Sequence, residues 1–312
     1  MMRDVPQPPA HLGLLPAEAV SAVWRLEFLA RQKMQGTLTG RHSSKNKGAS
    51  VEFAEHRAYV KGDNTRDLDW RVFARNDRYC IKQYVEETNL RTTILLDASG
   101  SMGYGGDGSC QISGSRVTKF EYARYMAAVL SHFLIKQRDA TGVVTFDSEV
   151  RTFLRPAVSG AHMNTVLEQL HATTPTEETA LAPVLHEVAE RIPQRGVVVL
   201  SNDLFAEAHE LASALHHFKH CGHELVIFHI MADEELTFPF KHGSHFTDLE
   251  TPGWELPVDP VALRGEYLEQ VRNFLEKVET TCIGLGADYQ QLSTRDPFAP
   301  ALANYLANRR RR

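Results

Sequence analysis

The residues best suited to chemistry follow an apolar run in the first third of the chain. The run Thr92–Leu96 is rich in β-preferring residues and stops at Asp97, and Ser99 and Ser101 follow at every second position. This pattern predicts a buried parallel strand that ends in a tight loop. Ligands of open α/β sheets bind beyond the carboxyl ends of the strands. One carboxylate and two hydroxyls at that place predict a site for a small divalent cation such as Mg²⁺.

The Asp-x-Ser-x-Ser pattern at a strand end resembles the metal-ion-dependent adhesion site of von Willebrand factor type A domains. The resemblance implies two further ligands, a threonine from a later loop and an aspartate at the end of a later strand. Thr179, which opens an apolar-periodic segment, and Asp203, which follows a predicted strand, hold those places in the expected order. The implied ion is Mg²⁺, Mn²⁺ or Ca²⁺, and the sequence does not choose among them. An ordinary strand–turn–helix with a capping aspartate is the alternative.

Helices and strands alternate along the rest of the chain and would position such a site. Helices are predicted at 16–34, 118–137, 161–171, 180–192, 207–219, 264–278 and 300–307. Strands are predicted at 142–146, 196–202 and 225–230, with an antiparallel companion at 151–154 and a last short strand after residue 286. This alternation is typical of βαβ units, so we predict an α/β fold with a doubly wound, mainly parallel sheet flanked by helices. Thr118 and Glu121 predict a capping box at the start of the second helix.

A glycine-rich segment follows the loop Asp97–Ser101, which we call the metal-type loop, and has the form of a nucleotide-binding motif. Gly103–Gly108 formally reads G-x-G-x-x-G after a strand. The dinucleotide fingerprint requires a helix that opens at the third glycine, whereas the best helix begins near Thr118. We therefore predict a flexible insertion and no cofactor site.

Composition limits the classes of function. The chain has 312 residues, is 43% hydrophobic and carries a net charge of −5, which favours a globular protein and disfavours nucleic acid as a partner. Four scattered cysteines (Cys80, Cys110, Cys221 and Cys282) contain no Cys-x-x-Cys pair and suit reduced thiols in a cytoplasm. We find no signal peptide and no segment that could span a membrane, so a cytoplasmic location is expected.

Residues 51–92 are predicted to be an accessory β segment. Short strands are expected at 51–53, 58–60 and 78–85, too few to be stable alone. The predicted domains are therefore 1–50, an N-terminal helix and basic loop, then 51–92, then the main domain at 93–312. The stretch 66–75 alternates charges of both signs with large apolar residues. Two interpretations stay open for it, a recognition surface and a salt-bridged loop.

This second segment carries a further resemblance. Val51–Arg57, Tyr59–Asp63, Arg66–Trp70 and Ala74–Arg75 precede the metal-type motif at close range. Together they resemble the bacterial family called domain of unknown function fifty-eight. The resemblance implies a von Willebrand type A-like fold and a non-enzymatic role. It also implies a protein partner, a MoxR-type AAA+ ATPase with chaperone-like activity or its client.

Three functions are weighed for the metal-type loop. The expected one is a metal-dependent protein–protein interaction module, an adaptor for the ATPase, in which a partner's carboxylate fills an open coordination position. A metal-dependent hydrolase is disfavoured. Phosphotransfer by Asp97 would require a second carboxylate where Ser99 stands, and the G-x-S-x-G elbow is absent around Ser101. A metal-independent structural scaffold is the remaining alternative.

Overall fold

The computed structural model describes residues 10–35, 51–59, 68–86, 90–176, 180–241, 246–247, 249, 255–256 and 259–309. The predicted basic loop at 36–48 lies outside these residues. The chain divides into two compact units, Met1–Thr37 with Leu90–Arg312, and Leu38–Asn89. The domain boundaries predicted at residues 50 and 92 stay predictions.

Within the described residues the secondary structure follows the predicted alternation closely. The helices are α1 (Ala17–Gln35), α2 (Trp70–Asn76), α3 (Lys119–Lys136), α4 (Gly160–Ala172), α5 (Leu181–Arg191), α6 (Ala208–His220), α7 (Asp233–Thr237), α8 (Pro260–Gly284) and α9 (Ala299–Arg309). The strands are β1 (Val51–Ala58), β2 (Cys80–Glu86), β3 (Arg91–Asp97), β4 (Gln111–Ile112), β5 (Ser115–Arg116), β6 (Ala140–Phe146), β7 (Val150–Ala157), β8 (Val197–Asn202), β9 (Glu224–Met231), β10 (Phe246–Thr247), β11 (Glu255–Leu256) and β12 (Asp288–Ser293).

The larger unit is built on a six-stranded sheet with the order β12-β9-β8-β3-β6-β7. All neighbouring strands are parallel except β7, which runs antiparallel to β6 at the sheet edge. The predicted α/β fold with a doubly wound, mainly parallel sheet is therefore confirmed. Because β3 is a central strand, its carboxyl end lies between the ends of β8 and β6 at one edge of the sheet.

Helices cover both faces of this sheet. Ile94 and Leu96 of β3 pack into a core with α1, α3, α4 and α9. Leu95 points the other way, into a core with α5, α6 and α8. A parallel strand buried on both faces has no solvent side, which explains why β3 reads as a continuous apolar run and not as an alternating one.

Helix α3 begins where its sequence predicts. The Thr118 hydroxyl accepts a hydrogen bond from the Glu121 amide at 3.1 Å, and the Glu121 carboxylate accepts one from the Thr118 amide at 3.0 Å. These reciprocal bonds satisfy two amides that the helix start would otherwise leave unpaired. The capping box is confirmed, and it places Lys119 as the first residue of the helix.

In the smaller unit, β1 pairs antiparallel with β2. The expectation of two separate short strands at 51–53 and 58–60 is wrong, because β1 is one strand with a register irregularity between Phe53 and Glu55. A bulge of this kind shifts the two-residue side-chain alternation, so the sequence pattern is interrupted while the strand continues.

The interpretation of 66–75 as a loop is also wrong for its described part, where α2 forms. Asp69 caps this helix, since its Oδ1 accepts hydrogen bonds from the amides of Arg71 at 2.9 Å and Val72 at 3.3 Å. The cap stabilises a helix of only seven residues, none of which is buried.

The four cysteines all lie in the described residues and are free thiols. Of the helices described above, none combines the length and the apolar composition that crossing a membrane requires.

Candidate metal centre

The three residues of the metal-type loop lie together at the carboxyl end of β3. Asp97 is the last residue of the strand, and its Oδ1 accepts a hydrogen bond from the Ser99 amide at 2.8 Å. The Ser99 hydroxyl donates to Asp97 Oδ2 at 3.0 Å and lies 3.1 Å from the Ser101 hydroxyl. Asp97 and Ser99 are buried and Ser101 is half-buried. Of the three, Ser101 is therefore the residue that solvent or a partner can reach.

This arrangement leaves oxygen lone pairs available. A hydroxyl has one proton to donate and two lone pairs that accept. Because Ser99 gives its proton to Asp97, its lone pairs are free to act toward a neighbouring group or a cation. The donor set, one carboxylate and two hydroxyls, has the hard-oxygen character that Mg²⁺ and Ca²⁺ prefer.

Burial and neighbouring charges strongly shift the pKa of the Asp97 carboxyl. Burial raises the pKa of its carboxyl, the negative charge of Asp203 raises it further, and the hydrogen bonds from Ser99 and the positive charge of Lys119 only partly oppose them. The resulting pKa is about 8. In addition, the Asn202 side-chain amide donates to Asp97 Oδ2. Without a cation, this carboxyl therefore favours its protonated form at neutral pH.

Asp203 follows β8 at the same sheet edge and is buried. Its Oδ2 accepts a hydrogen bond from the Lys119 ammonium at 2.8 Å. The same ammonium donates to Glu235 Oε1 at 2.6 Å. Burial lowers the pKa of Lys119, but the two carboxylates more than offset that effect and the pKa is raised. Lys119 is therefore a fully buried, charged lysine held between two acids.

Sequence reasoning missed Lys119 and Glu235. One signal existed, since Lys119 directly follows the predicted N-cap Thr118 of a helix with a wide apolar face. For Glu235 the signal was its place, because the acidic run 233–235 directly follows the buried strand β9. Both features put charge at the sheet edge that also carries Asp97.

Thr179 lies outside the described residues, so its predicted place in the site stays a prediction. The described residues just before it do approach the metal-type loop. The Thr176 amide donates to the Ala98 carbonyl at 2.8 Å, and the Thr176 hydroxyl donates to Asp147 Oδ2 at 2.6 Å. On the other side of the gap, the Ala180 amide lies 3.4 Å from the Asp147 carbonyl. Thr176 therefore contacts the loop after Asp97.

Asp147, at the end of β6, is a third carboxylate of this edge with a different environment. Burial raises its pKa, but hydrogen bonds from Thr176 and from the Glu149 amide, together with Arg151, outweigh burial and lower it. Arg151 also forms an ion pair with Asp147 Oδ2. Asp147 is thus a structural anion paired within the protein.

The glycine-rich segment packs against the rest of the domain, and its flexibility stays a prediction. It leads into the hairpin of β4 and β5, and helix α3 begins only at Lys119. The Gly108 amide donates to Glu234 Oε1 at 2.6 Å, and a Cβ on Gly106 would overlap the Glu234 carboxylate. The requirement for glycine is strictest at Gly105, where a Cβ would lie 2.8 Å from the Thr118 Cα and 3.0 Å from the Val117 carbonyl oxygen.

A cleft of about 780 Å³ opens beside this segment. It is lined by Tyr104, Arg116, Glu234 and Phe240, among other residues. Tyr104, three residues after Ser101, is the lining residue that lies nearest along the chain to the metal-type loop.

Among the described residues, no group of three or more His, Cys, Asp or Glu side chains is arranged to hold a metal ion. A cation at Asp97 would therefore depend on the serine hydroxyls and on water for most of its ligands. Asp97, Asp203 and Glu235, when all are ionised, carry three negative charges against the single positive charge of Lys119. Such a cluster has a net charge of −2, which matches one divalent cation.

The fold and this loop together define the class of protein, a von Willebrand factor type A-like α/β domain. The sequence profile described as "Protein of unknown function DUF58" matches residues 55–276, well over half of the chain. The chain therefore belongs to the DUF58 family, which confirms the resemblance drawn from the sequence.

Relatives and solved structures resemble the chain to different degrees. The uncharacterized proteins Rv1480 of Mycobacterium tuberculosis and Mb1516 of Mycobacterium bovis are each 24% identical over 93% of this chain and 90% of their own length. The BatB protein of Bacteroides thetaiotaomicron superimposes with a TM-score of 0.44 at 14% identity, covering 72% of this chain and all of that one. The SpRpn10 VWA domain does so with a TM-score of 0.40 at 12% identity, covering 69% and 94%.

Proposed function

We propose that this protein is a non-enzymatic, cation-dependent protein-interaction module. The observation that carries the proposal is the grouping of Asp97, Ser99 and Ser101 at the sheet edge, where the buried Asp97 carboxyl accepts hydrogen bonds from Ser99 and Asn202. Buried uncompensated charge is expensive. A divalent cation would neutralise the ionised Asp97 carboxylate in place of the proton that the carboxyl holds without one.

In this proposal Asp97 and the hydroxyls of Ser99 and Ser101 hold the ion, Thr179 completes the set, and Asp203 acts on the ion through water or hydrogen bonds. The ion is Mg²⁺, Mn²⁺ or Ca²⁺. It would supply a positive centre to which a partner's Asp or Glu carboxylate binds. The half-buried Ser101 marks the side from which that carboxylate approaches, because Asp97 and Ser99 are closed to solvent.

The same geometry supports a role without catalysis. The Ser99 hydroxyl is hydrogen-bonded to Asp97 and Ser101, and not to a histidine that could act as a general base. With Asp97 and Ser99 buried, a substrate would have no direct access to either side chain. The family assignment leads us to propose a MoxR-type AAA+ ATPase, or its client, as the partner, and the protein as the adaptor.

The first test is direct cation binding by the full-length protein. We expect Mg²⁺ and Mn²⁺ to raise the unfolding temperature of the wild type, and Asp97→Ala to remove that rise. Asp147→Ala is the matched control, since it removes a strand-end carboxylate already paired with Arg151. It should destabilise the protein while leaving the cation-induced rise in place.

The second test measures binding to a MoxR-type ATPase in Mg²⁺ and in chelator. Binding that requires Mg²⁺ and is lost in Asp97→Ala supports the adaptor proposal. Equal affinity in both buffers would reject it in favour of a metal-independent scaffold. One observation speaks for that scaffold, namely that both Asp97 oxygens already accept hydrogen bonds from within the protein.

A further inference from the structure

Lys119 is an unusual feature of this sheet edge because an ammonium group is fully buried there. Its side chain has no solvent exposure, and its Nζ lies 2.8 Å from Asp203 Oδ2 and 2.6 Å from Glu235 Oε1. The ammonium also lies 5.2 Å from the centre of the Phe205 ring. A lysine is rarely buried unless it is paired, and these two carboxylates account for its burial.

The pairing changes what Asp203 can offer a cation. One oxygen of Asp203 is hydrogen-bonded to a positive charge, and the other lies 3.5 Å from the Phe205 amide. A second cation placed near Asp203 would be repelled by the ammonium that Asp203 already neutralises. Asp97 has no such partner, since its oxygens accept hydrogen bonds only from neutral groups, those of Ser99 and Asn202.

We infer that Lys119 sets the strength of the cation site: it holds Asp203 as its own counter-ion and leaves Asp97 as the single carboxylate that binds the ion directly. The inference rests on the proposed function and adds a residue that the metal-type motif does not contain. It makes the site weak by itself, because one carboxylate and two hydroxyls hold a divalent ion less firmly than two carboxylates do. A partner's carboxylate would then supply the missing negative ligand.

A purely structural role for Lys119 makes a different prediction. If Lys119 only neutralised Asp203 and Glu235, replacing it would lower stability without raising cation affinity. Cation affinity, measured apart from stability, therefore separates the two roles.

The experiment is a Mn²⁺ titration of the full-length protein, followed by calorimetry or by the electron paramagnetic resonance signal of free Mn²⁺. We expect Asp97→Asn to weaken Mn²⁺ binding at least about 100-fold and Asp203→Asn to change it by no more than about threefold, differences of roughly 2.7 and 0.7 kcal/mol. Lys119→Met, which keeps the length of the side chain and removes its charge, should tighten binding at least about tenfold.

The double variant Lys119→Met/Asp203→Asn completes a double-mutant cycle for the Mn²⁺ affinity. Because the released Asp203 carboxylate is the source of the gain, this variant should return to an affinity near that of the wild type. If Lys119→Met does not fold, Lys119→Gln takes its place, because it removes the charge and keeps a hydrogen-bond donor for Asp203 and Glu235.

Three results would contradict the inference about Lys119. An equal loss of affinity in Asp97→Asn and Asp203→Asn would overturn the inference, because Asp203 would then be a direct ligand. Unchanged or weaker binding in a folded Lys119→Met would overturn it as well. Both results leave the proposed function standing, whereas a wild type that does not bind Mn²⁺ at all rejects the proposed function and the inference with it.

Discussion

The raised pKa of Asp97 makes the cation-free protein sensitive to pH in an uncommon direction. A carboxyl whose folded-state pKa is raised stabilises the fold most at low pH, where it is protonated in both states. That stability is lost as the pH rises through the folded-state pKa of about 8. Chelator-treated protein should therefore become less stable between pH 6 and pH 8, and Asp97→Asn should remove this part of the loss.

The size of this loss of unfolding free energy follows from the difference between the folded-state and the unfolded-state pKa of Asp97. Between pH 6 and pH 8 the unfolded carboxyl is ionised, since its pKa is near 3.9, while the folded carboxyl is still largely protonated. Each pH unit in this range costs about 1.4 kcal/mol of unfolding free energy. We expect the wild type to lose about 2 kcal/mol more than Asp97→Asn over the two units.

The assay is urea unfolding in chelator at pH 6, 7 and 8, followed by circular dichroism. The comparison uses the change with pH, because Asp97→Asn also sets an amide against the Asn202 amide, at a cost that does not depend on pH. Asp147→Asn is the control. Its carboxyl has a lowered pKa, so its contribution is already complete at pH 6 and the loss between pH 6 and 8 should match the wild type. Parallel pH profiles for wild type and Asp97→Asn would refute the reasoning.

Two further predictions concern His229 and Thr118. Burial lowers the pKa of His229 to about 4, so acidification from pH 6.5 to 4 should remove up to about 3 kcal/mol of unfolding free energy. Urea unfolding in the Asp97→Asn background, where the opposing carboxyl is absent, should show this loss and should show less of it after His229→Asn. Thr118→Ala removes the cap of α3 and should lower the unfolding free energy by about 1 kcal/mol. An unchanged urea midpoint would show that the cap contributes nothing.

Local features of the fold could be predicted because their causes are local. The position of β3 follows from an apolar run that is buried on both faces, and the start of α3 follows from a capping box only four residues long. The grouping of Asp97, Ser99 and Ser101 is local in the same sense. Residues two apart in one tight loop stay close together whatever the rest of the chain does.

Sequence patterns gave wrong predictions where a structural irregularity did not show in the order of residue types. A register irregularity interrupts the alternation within β1, so one strand was predicted as two. Asp69 caps α2 through its side chain, and interleaved charges disguised a short helix as a loop. The contact between Gly108 and Glu234 escaped the sequence analysis because the two residues lie 126 positions apart.

The sequence by itself therefore determined the α/β architecture, the strand that carries the site and the oxygen donors of its first loop. Only the tertiary structure decided which carboxylates neutralise the buried Lys119 ammonium. Lys119 meets Asp203 across 84 residues and Glu235 across 116, and no spacing in the chain encodes those distances. The strength of a charge pair depends on separation and on burial, and both are set only when β8 and β9 end, and α3 begins, at one edge of the sheet.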